Sequence, residues 1–325
     1  MEPSIACCHR NEGTDTMLLK KATKVMITGC GGMLGKAVYE RFSRECTVLA
    51  SDIDLNEPWL ERCDVRELKG VLTMAEAFRP DLLVNLAALT DLEYCELNEE
   101  DSWLTNGLGQ ENVCIAAKRL GIPVVYVSTA GIFDGAKEYY NDFDTPNPLS
   151  IYAKSKYHGE LVTPSLLDRY FIFRAGWMMG GGPEKDKKFI NKVFKQLHNG
   201  ATELFVVDDK LGTPTYTVDF ANSMFEVVKS DLYGLYNMVC EGSGSRYDVA
   251  VEFLKCLKLQ DRVKLTIVDS EYFKKDYFAP RPASEKLVNL KLRKRDMMFM
   301  RDWRECLAEY SGVFLSALGS NRAQH

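Results

Sequence analysis

Apolar residues fall into short runs separated by helical stretches, and this alternation persists through the first half of the chain. Lys24-Val25-Met26-Ile27-Thr28 is an apolar run that ends in glycines, and residues 33–43 follow with Leu34, Val38 and Phe42 on one helical face. The segment predicts strand, tight turn and helix. The same pattern predicts a strand at 47–50, a helix at 66–78 and a buried strand at 81–87. A long helix over 99–120, a strand at 124–128, a helix carrying Tyr152 and a strand at 171–174 come next. Strands that are almost wholly apolar, each followed by a helix, imply an α/β fold whose parallel sheet is covered on both faces. After Gly176 the pattern loosens into helices at 187–197, 218–228, 247–257 and 301–318 and strands at 204–207, 235–239 and 263–268. These predict a smaller lobe interleaved with the last strands of the sheet.

Composition narrows the class without naming it. Hydrophobic residues make up 46% and charged residues 27% of the 325, as in an ordinary soluble globular protein. A net charge of -5 argues against nucleic acid or an anionic membrane as the main partner, since both call for a basic stripe. The ten cysteines show no Cys-x-x-Cys spacing, and residues 1–22 lack an uninterrupted apolar core for a signal peptide. They predict reduced thiols in a cytoplasmic protein. No stretch approaches the roughly 18 apolar residues of a membrane helix. Cys7-Cys8-His9 could catch a metal adventitiously, but it lies in what reads as a flexible leader, and no acidic cluster has metal-ligand spacing, so no metal site is predicted.

Between the first strand and first helix, Gly29-Cys30-Gly31-Gly32-Met33-Leu34-Gly35 places glycines at positions one, four and seven. Missing side chains let the backbone turn tightly and approach a pyrophosphate, which the positive end of the helix then stabilises. Asp52, about 20 residues on at the end of the second strand, supplies the remaining part of a dinucleotide fingerprint. Its carboxylate would accept from an adenosine ribose and repel a 2′-phosphate, which leans the prediction from NADP(H) towards NAD(H). Asp64-Val65 either brackets the adenine or starts the next helix. The predicted architecture is a Rossmann-type doubly wound sheet: a leader at 1–22, a dinucleotide-binding domain at 23–176 joined by 204–240, and a substrate lobe from 177–203 and 241–318.

Tyr152 and Lys156 sit four apart, on one face of a helix. A nearby ammonium favours the phenolate, giving an acid or base that works near neutral pH. One Tyr-x-x-x-Lys is expected on the order of once by chance among so many tyrosines, so the pair gains weight only from its company. That company is Gly29-x-x-Gly32-x-x-Gly35, Asn85-Leu86-Ala87-Ala88, Val127-Ser128-Thr129 and Phe133-Asp134-Gly135. Together these resemble an extended short-chain dehydrogenase/reductase. The chain is more narrowly similar to the dTDP-4-dehydrorhamnose reductase family, through Ala87-Ala88-Leu89-Thr90, residues 152–160, Val206-Val207-Asp208-Asp209, Gly212-Thr213-Pro214-Thr215, Arg281-Pro282 and Asp302-Trp303-Arg304.

The resemblance implies reduction by NAD(P)H of the C4 ketone of a nucleotide-linked 4-keto-6-deoxysugar. By position it makes Thr129 and Tyr152 contacts of the keto oxygen, with Lys156 on the nicotinamide ribose. Gly29, Gly32, Met33, Leu34, Gly35, Asp52, Asp64, Val65, Ala87, Ala88, Leu89 and Asn106 fall at cofactor positions, and Thr90, Leu92, Trp177 and Arg281 at substrate positions. Trp177 has the alternative of capping the core, Thr90 and Leu92 of loop packing, and Asn106 of an ordinary helical amide. Arg281, stiffened by Pro280 and Pro282, is the better diphosphate candidate beside Lys185, Lys187 and Lys188, which also read as a solvated helix start. Nothing opposes a homodimer.

One departure stands out. The family commonly has Asp-Tyr after the threonine, where this chain has Ala130-Gly131. That removes two side chains from the expected floor of the site, and it argues against a 4,6-dehydratase, which needs an acidic pair there. An epimerase of the same fold and a non-catalytic dinucleotide-binding regulatory subunit are the alternatives to a reductase.

Overall fold

The computed structural model describes Leu19 and residues 22–322, with side chains through Leu315. Strands β1 (Lys24–Thr28), β2 (Thr47–Asp52), β3 (Leu60–Arg62), β4 (Leu82–Asn85), β5 (Val124–Thr129) and β6 (Tyr170–Ala175) join the Gly234–Asn237 strand in one sheet. Its order is Gly234–Asn237, β6, β5, β4, β1, β2, β3, and every pairing is parallel. Chain direction across the sheet reverses between β1 and β4, so the carboxyl ends of these strands open a crevice where an α/β sheet takes its ligand. Both faces are covered. Phe42 of the Gly35–Ser43 helix meets Phe225 of the Thr217–Lys229 helix edge-on at 5.1 Å over one face. Val71, Ala75, Val113 and Ala117 pack over the other.

Three expectations change. The predicted helix over 99–120 is Glu99–Ser102, a π-helical turn at Trp103–Leu108, and Gly109–Leu120. A side chain at Gly109 would stand 2.7 Å from Val65, so the chain passes close to its neighbour where the register widens. The strand predicted at 204–207 belongs to the lobe: Glu203–Val207 pairs in parallel with Lys264–Val268. Its burial alternates, Leu204 and Val206 inward and Phe205 outward, the pattern of a half-buried sheet and not of a strand covered on both faces. Of the predicted leader, including Cys7-Cys8-His9, almost all lies outside the described residues, but Leu19 is buried in the main core. Among the described residues no helix is long and apolar enough to cross a membrane, eight cysteines are free, and no group of three His, Cys, Asp or Glu side chains could hold a metal.

The lobe adds three small sheets. Trp177–Met179 pairs with Pro214–Tyr216, and Leu211–Gly212 lies between Gly244–Ser245 and Ser284–Glu285. The third is the Glu203–Val207 pair already described.

The Ile151–Leu166 helix is pressed onto the sheet at two successive residues. A Cβ at Gly159 would stand 2.3 Å from the Tyr126 hydroxyl, so only glycine permits the approach. Next to it Glu160 forms a buried fork with Arg174 of β6, at 2.7 to 3.2 Å. Removing one member of such a pair strands the other charge, so Glu160→Gln is expected to cost about 3–5 kcal/mol. Urea unfolding measures it, and a loss below about 1 kcal/mol would show that the pair does not hold the helix.

Candidate active site

The glycine turn divides into structural and open positions. Gly29 has φ +74°, and a Cβ there would meet Ala87 N at 2.1 Å; a Cβ at Gly35 would meet Cys30 O at 1.8 Å. These two are required by packing alone. At Gly32 nothing but Gly29 O, at 3.5 Å, lies near the missing side chain, so the turn is open on that side. The helix beyond it, from Gly35 after Met33 and Leu34, has no side-chain cap and no acid in its first turn. Its leading N–H groups suit an anion, and the cradle fits a dinucleotide pyrophosphate.

Asp52 is partly committed to this loop. Gly31 N donates to its Oδ2 at 2.8 Å and Asp54 N to its Oδ1 at 3.0 Å, while Asn56 Nδ2 donates to Gly31 O at 3.1 Å. Asp64 is gripped by Arg66 at 2.7 to 3.0 Å, which holds its carboxyl below the usual range, and Val65 is buried. Asn106 is spent on the protein: Leu89 N donates to Oδ1, and Nδ2 donates to Leu89 O and Ser155 Oγ, at 2.9 to 3.1 Å. In place of a free cofactor contact it braces the Ala87-Ala88-Leu89 loop against the Tyr152 helix. A second buried chain, not anticipated from the sequence, runs from Thr28 Oγ1 to Asn85 Oδ1, from Asn85 Nδ2 to Gln110 Oε1, and from Gln110 Nε2 to Thr163 Oγ1, at 2.7 to 2.9 Å. It ties the ends of β1 and β4 to two helices.

Thr129 ends β5, its hydroxyl close enough to the Tyr152 phenol to oppose the rise in that group's pKa, and it accepts from Gly131 N at 3.2 Å. Tyr152 lies in the first turn of its helix, whose N-cap Ser150 accepts from Ala153 N at 3.1 Å. Lys156 is buried one turn later, with Nζ 4.2 Å from the Tyr126 ring centroid. The predicted depression of Tyr152 is absent. Burial pushes the phenol up to about 12, with Thr129 opposing and the charges of Cys95 and Glu285 adding to the rise. Burial pushes the Lys156 ammonium down to about 7, with Glu160 opposing. Desolvation disfavours both charged forms, and it is the largest cause of both shifts.

On the lobe side the assignments shift. Thr90 takes the Lys188 ammonium on both its carbonyl and its hydroxyl, at 2.8 and 3.1 Å, and burial lowers Lys188 to about 8. Leu92 is half-buried at the start of the Leu92–Leu97 helix. Arg281 is not an open phosphate ligand, because Glu93 on that helix forks it at 2.7 and 2.9 Å. Lys185 is likewise paired, with Glu57 at 2.6 Å. Trp177 is held between two charges: its indole N–H donates to Glu285, and the Arg246 guanidinium lies 3.6 Å from its ring centroid. Arg246 and Glu285 carry no motif, and single residues without periodic neighbours leave no signal in one sequence.

Such a crevice on this sheet, with a hydroxyl pair and buried lysine beside an open glycine turn, defines an extended short-chain dehydrogenase/reductase, a class of NAD(P)-dependent oxidoreductases. Within it, residues 23–314 match the RmlD substrate binding domain family, and the chain belongs to that family. It is 30% identical over 289 residues to the spore coat polysaccharide biosynthesis protein SpsK of Bacillus subtilis, covering 89% of this chain and 96% of that protein. A crystal structure of a dTDP-4-dehydrorhamnose reductase from Clostridium acetobutylicum is 33% identical with a TM-score of 0.80, covering 89% of this chain and 98% of that one. The Bacillus anthracis dTDP-4-dehydrorhamnose reductase, solved in complex with NADP, is 28% identical with a TM-score of 0.81, covering 89% and 98%.

The low Lys156 value has a thermodynamic consequence. An unfolded lysine holds its proton to about 10.5, while the folded one releases it near 7, so between these values the unfolded state binds more protons and stability rises with pH. The slope attributable to one such group is roughly 1.4 kcal/mol per pH unit. Urea unfolding of wild type and Lys156→Met from pH 7 to 10 should show wild type gaining on the variant as pH rises; a constant difference would contradict the burial effect.

Proposed function

We propose that the protein reduces the C4 ketone of a nucleotide-linked 4-keto-6-deoxysugar, as its dTDP-4-dehydrorhamnose reductase relatives are named for doing. The observation that carries this reading is the placement of the Thr129 hydroxyl, at the carboxyl end of β5, beside the Tyr152 phenol in the first turn of the Ile151–Leu166 helix, with Lys156 buried one turn on. A nicotinamide dinucleotide, when bound, supplies the hydride to the carbonyl carbon. The oxygen then carries developing negative charge, and two hydroxyls already face one another where they can meet it. Tyr152, kept protonated by burial, gives that oxygen its proton, and Thr129 donates a hydrogen bond to it. Lys156, buried one turn along the helix, holds the nicotinamide ribose and passes a proton back to the phenol. Ketone, reduced dinucleotide and one proton become alcohol and oxidised dinucleotide. Lys188 and Arg246, which no carboxylate in the described residues pairs at salt-bridge distance, take the diphosphate role that Glu93 denies Arg281.

Both reduced cofactors, presented with dTDP-, GDP-, UDP- and CDP-4-keto-6-deoxysugars, should give stoichiometric oxidation and a sugar two mass units heavier. Isomerised sugar with no cofactor consumed would indicate an epimerase, and cofactor binding with no sugar converted a regulatory subunit. Tyr152→Phe is expected to lower kcat by roughly 10²- to 10⁴-fold; near-normal turnover would remove Tyr152 from the mechanism. Asp52 leans the cofactor preference to NAD(H), through its charge near the adenosine ribose. Asp52→Asn retains an acceptor for Gly31 N and should move the NADPH:NADH ratio of kcat/KM roughly tenfold towards NADPH. An unchanged ratio would contradict that assignment.

A further inference from the structure

The loss of Asp-Tyr after Thr129 is only half a loss. Ala130 turns into the core beside Ile132, Phe133 and Tyr140, so it never lines the site. Gly131 does border it, and the space where its side chain would stand is flanked by Glu285 Oε1 at 3.2 Å and Thr129 Oγ1 at 3.5 Å. A carboxylate from the far end of the chain thus reaches the place that the glycine leaves open.

Resting on the reductase reading, we propose that Glu285 positions the substrate, its carboxylate accepting a hydroxyl of the sugar ring and so selecting which keto sugar is reduced. Its backbone is pinned on every side. Ser284–Glu285 pairs with Leu211–Gly212, Leu211 N donates to Ala283 O at 2.9 Å, Ser284 Oγ to Glu138 O at 2.6 Å, and Leu287 N to Thr213 Oγ1 at 3.3 Å. Its side chain is aimed as well, because Trp177 Nε1 donates to Oε2 and thereby turns Oε1 towards Gly131 and Thr129. Among the described residues no lysine or arginine pairs with Glu285 at salt-bridge distance; Arg246 is drawn to it but its guanidinium sits over Trp177, 3.6 Å from the ring centroid. Oε1 is therefore a half-buried anionic acceptor in need of a donor. A sugar hydroxyl supplies one, whereas a deoxygenated carbon does not and a sugar carboxylate is repelled. The position is consistent with the chemistry next to it, since the same negative charge helps to keep Tyr152 protonated.

The test compares wild type, Glu285→Gln and Glu285→Ser on dTDP-4-keto-6-deoxyglucose and its 2-deoxy and 3-deoxy counterparts. Kinetics are read beside calorimetric binding of dTDP-glucose and its 2-deoxy and 3-deoxy forms. Glu285→Gln keeps an acceptor for Trp177 and controls for folding, which a thermal melt verifies. Wild type should favour the fully hydroxylated sugar over one deoxy form by roughly 10- to 100-fold in KM and Kd, the worth of a hydrogen bond to a charged group. Both variants should lose that discrimination with a smaller change in kcat, and the alkaline limb of kcat/KM should move to lower pH. Variants that keep the wild-type discrimination, or that lose affinity equally for all three sugars, would overturn the inference. If wild type turns over no keto sugar, the reductase reading fails by itself and the binding comparison still judges Glu285. If wild type binds none of the sugars, both fall.

Discussion

Everything in the site hangs from the contact between the Ile151–Leu166 helix and the sheet. Gly159 lets the helix touch Tyr126, and the buried Glu160–Arg174 fork locks its rotation. Tyr126 serves twice, donating its hydroxyl to Lys156 O at 2.9 Å while its ring lies beneath the Lys156 ammonium. With the middle of the helix fixed, its first turn has no freedom left, and the Tyr152 phenol falls on Thr129. The pair proposed to react is drawn from two elements and placed by groups outside the proposed chemistry, as preorganised catalysis requires.

The same burial decides the electrostatics. An exposed lysine one turn from a tyrosine would lower the phenol, but in this crevice desolvation drives the two groups towards neutrality, near 12 and near 7. That suits reduction better than a phenolate would, because the step at the carbonyl oxygen needs a proton to give. Burial also shapes the substrate side. Lys188 keeps its ammonium on Thr90, Arg246 lies over Trp177, and Glu285 faces the gap at Gly131, so both signs of charge stand on the lobe side.

Local patterns made much of this legible in the sequence. The βα alternation, the spacing of Gly29, Gly32 and Gly35, and the four-residue step from Tyr152 to Lys156 are all short-range, and each reflects a geometric necessity. What escaped was long-range. Arg281 read as a phosphate ligand because its partner Glu93 is 188 residues away. Asn106 read as a cofactor contact because the Leu89 loop that absorbs its amide lies on another element. The strand at Glu203–Val207 went to the wrong sheet since its pairing partner comes 61 residues later. Glu285 and Arg246 left no trace, for their meaning comes only from Trp177 and Gly131 beside them in space.

In the proposed reaction hydride and proton arrive at one carbonyl from two sides, the proton from Tyr152. Its most direct test is isotopic: reaction of a dTDP-4-keto-6-deoxysugar with dinucleotide deuterated at nicotinamide C4, followed by NMR of the sugar. One deuterium is expected at sugar C4, transferred from a single face of the nicotinamide, with solvent hydrogen only on the new hydroxyl. Deuterium retained wholly by the dinucleotide, or solvent hydrogen bound to sugar C4, would contradict it.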